Sequence, residues 1–198
     1  MRREIAVAVW VGPKSKDSIP ATRARRDLSR QQDWSTGAKN PARDGAHKRR
    51  HRTGMDITWL TDRIAVGGGI WTTDNMAKVA QAGITHIIDM QIEFDDRPLG
   101  MAHGIEVLWN PTDDDFEPKP AALFERGVDF AQAALERNDA KLFIHCAAGV
   151  HRAPMMALAV LGSMGWRLEK AMELIEGRRP VADFAEVYVR SVEKFLRR

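Results

Sequence analysis

Residues 142–154 read Leu-Phe-Ile-His-Cys-Ala-Ala-Gly-Val-His-Arg-Ala-Pro, and this stretch decides how the rest of the chain is interpreted. The apolar run that ends at His145 predicts a buried strand that delivers Cys146. Five residues follow, and Arg152 then begins an apolar helical segment. In a turn from a strand into a helix, several backbone N–H groups point at a common centre, and the positive end of the helix dipole faces the same centre. The stretch therefore predicts a cradle for a dianionic phosphate.

Residue types within this turn suit phosphate chemistry. The positive field favours the thiolate form of Cys146, which is the nucleophilic form. The planar guanidinium of Arg152 matches two phosphate oxygens at once. Gly149 has no Cβ and can adopt positive φ where the loop reverses. We expect the phosphate loop to comprise Ala147, Ala148, Gly149, Val150, His151 and Arg152.

Composition excludes several classes of protein. The chain has 198 residues and one cysteine, so it forms no intrachain disulfide, no cysteine-based zinc finger and no pair with a resolving cysteine. A single thiol favours a reducing compartment, and we expect a cytoplasmic protein. The longest wholly apolar stretch, Ala153 to Leu161, is far shorter than the roughly 20 residues of a membrane-spanning helix. No membrane association is expected.

Charge divides the chain into two parts. Residues 1–54 carry a net charge of +9, whereas residues 55–198 carry −6. Residues 13–54 lack apolar periodicity and contain a basic cluster at 47–52, so we predict that residues 1–54 form a basic, disordered arm. Two further interpretations stay open: a tether that binds nucleic acid or another acidic surface by counterion release, or sequence upstream of a natural start at Met55.

From Met55 onward, short β-rich runs alternate with segments of helical periodicity. This pattern predicts an α/β fold, with a central, mostly parallel sheet of about five strands flanked by helices. The predicted strands are residues 57–60, 64–67, 84–89, 105–109 and 141–145. The predicted helices are residues 74–82, capped by an aspartate, residues 121–136, and three more after Arg152.

The pattern His-Cys-x5-Arg, after a strand and before an apolar helix, resembles the signature of the cysteine-based protein phosphatases. In the dual-specificity branch of that family, a general-acid aspartate lies on a loop upstream of the cysteine. Here residues 110–115 read Asn-Pro-Thr-Asp-Asp-Asp, and Asp114 precedes Cys146 by 32 residues, a separation similar to that of the family. The resemblance covers roughly residues 57–197, so we interpret residues 55–198 as a catalytic domain similar to dual-specificity phosphatases.

The resemblance implies a two-step reaction that needs no metal or other cofactor. The Cys146 thiolate attacks phosphorus, Asp114 protonates the leaving oxygen, and Asp114 then activates the water that hydrolyses the phosphocysteine. Asp115 is the second choice for the acid. His145 is expected to hydrogen-bond around the cysteine loop, and no partner at suitable spacing supports it as a metal ligand. The implied substrate is a phosphorylated protein, with small phosphate esters as further candidates.

Ala153 departs from the family pattern, which usually has a serine or threonine after the arginine. That hydroxyl stabilises the departing thiolate, so we expect slow hydrolysis of the phosphocysteine. Plant starch phosphatases resemble this chain in having Arg-Ala-Pro, which keeps a phosphoglucan substrate open. A catalytically dead phosphate-binding module and a rhodanese-like sulfurtransferase also stay open as hypotheses. Around the phosphate loop, Trp71, Glu93 and Phe94 are predicted to line the rim, and His151 is predicted to face the loop.

Overall fold

The computed structural model of this chain describes residues 54–198. Apart from Gly54, the predicted basic arm lies outside the described residues. Within residues 54–198, no helix is long and apolar enough to cross a bilayer.

A five-stranded sheet, in the order β1-β2-β5-β3-β4, forms the centre of the described region. In this sheet β1 and β2 pair in an antiparallel direction, and the other three pairings are parallel. The predicted α/β class with a mostly parallel sheet is therefore confirmed. The strands are β1 (Ile57–Trp59), β2 (Ile64–Gly67), β3 (His86–Asp89), β4 (Glu106–Trp109) and β5 (Leu142–His145).

Strand β5 occupies the middle of the sheet, and all four of its residues are buried. Its last residue, His145, lies opposite Gly67 of β2 and Asp89 of β3 in the register. The carboxyl ends of parallel strands meet at one edge of a sheet, where α/β proteins bind their ligands. Cys146, which follows β5 directly, is therefore delivered to that edge.

Six helices in the described region cover the sheet. Residues next to each other in a strand face opposite sides, so Ala65 and Phe143 pack with the core around α1, whereas Val66 and Ile144 pack with the larger core around α3–α6. The helices are α1 (Thr73–Gln81), α2 (Arg97–Ala102), α3 (Ala121–Leu135), α4 (Arg152–Ser163), α5 (Leu168–Arg178) and α6 (Glu186–Leu196).

Two details differ from the sequence-based prediction. The first helix is capped by Thr72, whose Oγ1 accepts a hydrogen bond from the backbone N–H of Asn75, rather than by an aspartate. Helix α2 was not predicted, because its six residues are too few to show helical periodicity. A proline in its first turn was the one available signal.

Helix α4 is the core helix of the larger side. Its first ten residues, Arg152 to Leu161, are all buried. A helix that is apolar all round must be enclosed by other elements. Helix α4 contacts α3, α5 and α6 as well as strands β2 and β5. This enclosure fixes the start of α4, and with it Arg152, against the end of β5.

Candidate active site

The phosphate loop predicted from the sequence turns its carbonyl oxygens outward. Five successive carbonyls, those of residues 147–151, are each bound by a donor outside the turn. The carbonyls of Ala148 and Gly149 accept from the side chain of Arg179 at 3.1 and 2.7 Å. The other three accept from backbone amides: Ala147 from Gly69 at 3.0 Å, Val150 from Asp183 at 2.9 Å and His151 from Met155 at 2.9 Å. Since none of the described peptide bonds is cis, each following N–H points the opposite way. The amides of residues 148–152 therefore face the inside of the loop.

Cys146 lies directly before this turn, and one of the inward-facing amides contacts its sulfur. Its side chain is buried, with only 1% of the residue exposed. The backbone N–H of Gly149 donates to Sγ across 3.2 Å. The arrangement suits a nucleophilic thiolate beneath a bound anion.

Gly149 adopts φ of +66°, as the sequence predicted from the reversal of the loop. A Cβ atom at this position would also approach the carbonyl oxygen of Gly67 to 2.5 Å. Both the backbone conformation and the close contact with β2 require glycine here. Replacement by any other residue would open the turn.

Arg179, just after α5, holds the outer side of the phosphate loop. It is almost fully buried, and besides the two loop carbonyls it binds Asp56 with both terminal nitrogens, at 2.9 and 2.7 Å. A further bond reaches Oγ1 of Thr58 at 3.1 Å. Sequence reasoning missed this role, because Arg179 lies 30 residues beyond Gly149 along the chain.

Arg152 is oriented by Glu93, which follows β3. The two terminal nitrogens of the guanidinium donate to the two carboxylate oxygens of Glu93 at 2.9 and 2.8 Å. Arg152 holds the pKa of Glu93 down, to about 2, mainly through these hydrogen bonds. The Nε of Arg152 is buried and has no hydrogen-bond partner among residues 54–198. One terminal nitrogen also donates to the carbonyl of Thr112 at 3.2 Å, so Nε and the second N–H of the other terminal nitrogen remain for a ligand in the loop.

Asp114, the first choice for the acid, lies next to the phosphate loop. Its Oδ2 is 3.1 Å from Nδ1 of His151 and 3.8 Å from Nε of Arg152. Its Oδ1 accepts a hydrogen bond from the hydroxyl of Tyr188 at 3.2 Å. The structure thus brings together Cys146, Arg152 and Asp114, the three residues predicted to carry the chemistry.

Tyr188 was predicted as part of the apolar stripe of the last helix, and its site role was missed. Its hydroxyl also accepts from the backbone N–H of Phe116 at 2.9 Å, and its ring stacks on the Phe116 ring. Burial raises the pKa of Tyr188 to about 12, so the hydroxyl keeps its proton. One signal in the sequence could have indicated this role. Tyr188 is the one tyrosine of the chain, and a buried tyrosine hydroxyl needs a hydrogen-bond partner.

Asp115, the second choice for the acid, has other partners. Its carboxylate forms an ion pair with Nζ of Lys119 and accepts from the backbone N–H of Glu117 at 3.0 Å. The hydrogen bond from Lys119 lowers the pKa of Asp115. A carboxyl group kept ionised by a lysine is a poor proton donor, so the geometry favours Asp114.

His145 lies in a buried acidic environment and not in the hydrogen-bond network expected around the cysteine loop. Its Nε2 is 3.1 Å from Oδ2 of Asp96 and 3.7 Å from Oδ1 of Asp89, and all three side chains are fully buried. Neither contact forms a hydrogen bond, and both ring nitrogens lack a hydrogen-bond partner in the described part of the chain. Burial raises the pKa of Asp89 to about 6.

These three residues are also the one group of His, Cys, Asp or Glu in residues 54–198 with ligand atoms close enough to share a cation, all within 4.8 Å. The sequence offered His145 no partner at suitable spacing, because Asp89 and Asp96 reach it only through the pairing of β3 with β5. The group lies behind the phosphate loop.

Aromatic side chains surround the opening of the loop. Trp71 and Phe94, two of the predicted rim residues, pack together with ring centroids 5.9 Å apart. Phe116 packs its ring edge-on against His151, at 5.0 Å between centroids. Trp71 and Phe116 are both exposed, and they are the two non-glycine residues with positive φ among those described. Such backbone strain concentrates at ligand sites. The third predicted rim residue, Glu93, instead binds Arg152.

The site therefore joins a nucleophile, an anion cradle and a carboxyl group. A buried thiol accepts from an inward-facing amide, the Nε of Arg152 has no hydrogen-bond partner among residues 54–198, and the Asp114 carboxylate lies 3.8 Å from that Nε. Together these features suit the chemistry of cysteine-dependent phosphoryl transfer.

Residues 69–197 match the family described as "Dual specificity phosphatase, catalytic domain". The chain belongs to this family of the cysteine-based phosphatases.

Individual relatives agree with this assignment. The chain is 25% identical over 191 residues to "Phosphoglucan phosphatase DSP4, amyloplastic" of Castanea sativa, which covers 90% of this chain and 50% of that relative. It is 34% identical over 74 residues to "Dual specificity protein phosphatase 5" of Rattus norvegicus, covering 37% of this chain and 19% of the relative. The chain thus spans half or less of the length of these relatives.

Solved structures share the fold. PTPMT1 in complex with PI(5)P superimposes with a TM-score of 0.63 at 20% identity, covering 71% of this chain and 94% of PTPMT1. Human DUSP28 gives a TM-score of 0.62 at 20% identity, covering 72% of this chain and 93% of DUSP28.

Proposed function

We propose that this chain is a phosphatase that hydrolyses phosphate monoesters of proteins through a phosphocysteine at Cys146. The observation that carries the proposal is the position of Sγ, 3.2 Å from the Gly149 amide in a turn whose N–H groups face inward. Phosphotyrosine is the proposed substrate, with phosphoserine and phosphothreonine as further ones. Membership of the dual-specificity phosphatase family supports the reaction class.

In the first step, the Cys146 thiolate attacks phosphorus, and the bond from phosphorus to the ester oxygen breaks. The amides of residues 148–152 and Nε of Arg152 receive the phosphoryl oxygens, whose charge they stabilise in the transition state. Glu93 holds Arg152 in place by its two hydrogen bonds. Asp114 gives a proton to the leaving oxygen, which departs as an alcohol or phenol.

In the second step, water attacks the phosphocysteine and the phosphorus–sulfur bond breaks. Asp114 takes the proton from that water, and inorganic phosphate and the Cys146 thiolate are released. Ala153 is fully buried next to Arg152 and offers no hydroxyl to the departing thiolate. We infer that this step limits turnover.

The aromatic rim supports a substrate with a flat apolar face next to its phosphate. Trp71 with Phe94, and Phe116 with Tyr188, form two pairs of packed rings beside the loop. A phosphotyrosine ring can pack against such surfaces, since aromatic pairs add to the free energy of burial. The phosphate loop carries no lysine, which disfavours a phosphoinositide headgroup.

A phosphoglucan is the second candidate substrate. Arg152-Ala153-Pro154 resembles the plant starch phosphatases, and the relative from Castanea sativa is called a phosphoglucan phosphatase. Sugar rings also pack on exposed aromatic side chains such as Trp71. Phosphate release from amylopectin, measured beside release from a phosphotyrosine peptide, distinguishes the two substrates.

We also propose that residues 55–198 form the catalytic domain, that residues 1–54 form a separate basic arm, and that the protein works in the cytoplasm, where its single thiol stays reduced. The net charge of +9 in the arm supports contact with nucleic acid or another acidic surface.

The test is stopped-flow hydrolysis of p-nitrophenyl phosphate by the wild type and by Cys146→Ser in the presence of a metal chelator. We expect a burst of p-nitrophenolate equal to the enzyme concentration, followed by slow turnover, and no release by the variant. Absence of release in both proteins, with retained binding of a phosphopeptide, would instead support a phosphate-binding module. Transfer of sulfur from thiosulfate to cyanide that Asp114→Asn retains in full would support a rhodanese-like sulfurtransferase, which needs no acid.

A further inference from the structure

Three ionisable side chains meet behind the phosphate loop, where β3 and β5 end side by side. Asp89 is the last residue of β3, His145 is the last residue of β5, and Asp96 is the N-cap residue of α2. All three side chains are fully buried. Charged groups are buried in proteins only when they are paired or when they coordinate a metal ion.

Hydrogen bonds within the described part of the chain do not satisfy this group. Nε2 of His145 lies 3.1 Å from Oδ2 of Asp96, yet the two atoms form no hydrogen bond. Both ring nitrogens of His145 and both carboxylate oxygens of Asp96 lack a hydrogen-bond partner among residues 54–198. Buried polar atoms nearly always have a partner in folded proteins, so these four atoms indicate a bound ion or water molecule.

Asp89 is held in a fixed orientation beside these unpartnered atoms. Its Oδ1 accepts a hydrogen bond from the backbone N–H of Gln91 at 2.9 Å, and its Oδ2 accepts from the backbone N–H of Asp96 at 3.2 Å. Carboxylates that bind metal ions are oriented by hydrogen bonds of this kind. The side-chain amide of Gln91 is also buried and has no partner among the described residues.

The distances between the three side chains suit one small divalent cation. Their possible ligand atoms all lie within 4.8 Å of one another. Nε2 of His145 is 3.1 Å from Oδ2 of Asp96 and 3.7 Å from Oδ1 of Asp89. Two ligands about 2.1 Å from a tetrahedral Zn²⁺ are about 3.4 Å apart, and the two observed distances lie on either side of that value. Imidazole nitrogen and carboxylate oxygen are both ligands that Zn²⁺ takes.

We propose that Asp89, Asp96 and His145 bind one divalent cation of the zinc type, which joins the ends of β3 and β5 to the start of α2. A divalent cation balances the charge of two carboxylates beside a neutral imidazole, whereas a single imidazolium balances only one of them. The cation takes no part in the proposed reaction, which uses the other side of the loop. The inference therefore does not depend on the proposed function.

The test counts the metal bound by the full chain. Cys146→Ser serves as the parent, because it removes the thiol as a competing ligand, and Asp96→Asn and Asp95→Asn are each added to it. The three proteins are produced with added Zn²⁺ and desalted, and their zinc is measured by elemental mass spectrometry. We expect about one Zn²⁺ per chain in the parent and about tenfold less with Asp96→Asn, because a carboxylate ligand is lost.

Asp95→Asn is the matched control, because it changes the neighbouring aspartate, whose carboxylate pairs with Arg97 at the surface. We expect this protein to hold as much zinc as the parent. Equal zinc contents with Asp96→Asn and Asp95→Asn would show that the metal binds elsewhere and would overturn the proposal. Absence of zinc from the parent would also overturn it, with a buried water molecule as the partner of these groups.

A second measurement does not depend on how a variant folds. X-ray absorption by the zinc-loaded wild type reports the elements bound to the metal. We expect nitrogen and oxygen neighbours at about 2.0–2.2 Å, one imidazole among them, and no sulfur at about 2.3 Å. A sulfur neighbour would place the zinc on Cys146, the one cysteine of the chain, and would overturn the proposal.

Thermal unfolding gives a third readout. A cation that binds only the folded chain stabilises it, so we expect a chelator to lower the Tm of the zinc-loaded parent by about 5 °C or more. We expect no such change with Asp96→Asn, and an equal change in both proteins would contradict a site at Asp96. Without the cation, Asp89 is a buried carboxyl group, so the effect of Asp89→Asn alone on stability is measured with the chelator present.

Discussion

The hydroxyl of Tyr188, in the last helix, donates a hydrogen bond of 3.2 Å to Oδ1 of Asp114, 74 residues earlier in the chain. The same hydroxyl accepts from the amide of Phe116, two residues beyond Asp114. One side chain thus fixes both the carboxyl group and the backbone of the loop that carries it.

Tyr188→Phe removes this hydroxyl and keeps the ring that stacks on Phe116. We expect kcat/KM for phenyl phosphate to fall by about tenfold, because Asp114 loses a hydrogen bond that positions it. For p-nitrophenyl phosphate, whose leaving group needs no proton, we expect a loss of less than about threefold. Steady-state assays with both substrates check this, and equal losses would mean that Tyr188 acts on the whole loop.

Glu93→Gln removes the charge that orients Arg152. We expect kcat/KM to fall by about 100-fold, since one charge-assisted hydrogen bond contributes roughly 1.5–3 kcal/mol. The pKa of Glu93 is held at about 2, so the pair is intact at every assay pH and the loss is the same at pH 5 and pH 8. Asp95→Asn, which breaks the exposed pair with Arg97, is the control and keeps full activity. A loss that vanishes at pH 5 would contradict this role.

Arg179→Lys removes most of the hydrogen bonds on the outer side of the phosphate loop. A lysine has three N–H donors and cannot replace the five side-chain hydrogen bonds that Arg179 makes. We therefore expect the free energy of unfolding to fall by about 2 kcal/mol and kcat to fall as well. Arg178→Lys changes the exposed neighbour and serves as the control. Urea denaturation and kcat measure the two effects, and equal behaviour of the two variants would refute the role of Arg179.

Ala153→Ser supplies the hydroxyl that is absent next to Arg152. We expect steady-state turnover of p-nitrophenyl phosphate to rise by about tenfold while the burst becomes smaller, because the departing thiolate gains a donor. Ala157→Ser, also fully buried and one turn further along α4, is the control. Unchanged turnover in Ala153→Ser would show that hydrolysis of the phosphocysteine is not limited by this position.

Asp89→Asn tests the buried acidic group behind the loop. The pKa of Asp89 is raised to about 6, above the value near 4 of an unfolded chain, so the folded state binds this proton more tightly. The stability that this neutral carboxyl gives is present below pH 4 and is lost as the pH rises through 6. We therefore expect the free energy of unfolding of Asp89→Asn, relative to that of the wild type, to be about 1–2 kcal/mol higher at pH 7.5 than at pH 4.5.

Thermal unfolding at both pH values measures this gain. Asp129→Asn, on the exposed side of α3, is the control. We expect its stability to differ from that of the wild type by the same amount at both pH values. A difference for Asp89→Asn that grows toward acid pH would mean that the carboxylate, and not the acid, is the stabilising form.

The sequence by itself determined the α/β class, the strand that delivers Cys146, the turn from that strand into a helix and the conformation of Gly149. These features are local, because they depend on the alternation of apolar residues and on which residue types tolerate a tight turn. The spacing of Asp114 from Cys146 was also visible, although only as a resemblance to a family.

Tertiary structure alone decided the partners of these residues. Glu93 reaches Arg152, Arg179 reaches Gly149 and Asp183 reaches His151 across separations of 59, 30 and 32 residues. Such pairs depend on the strand order and on the direction of each side chain, which periodicity does not specify. The order β1-β2-β5-β3-β4 places the ends of β3 and β5 side by side. The pairing of those two strands places Asp89 opposite His145. The segment that follows β3 begins beside the end of β5, and it carries Glu93 to Arg152.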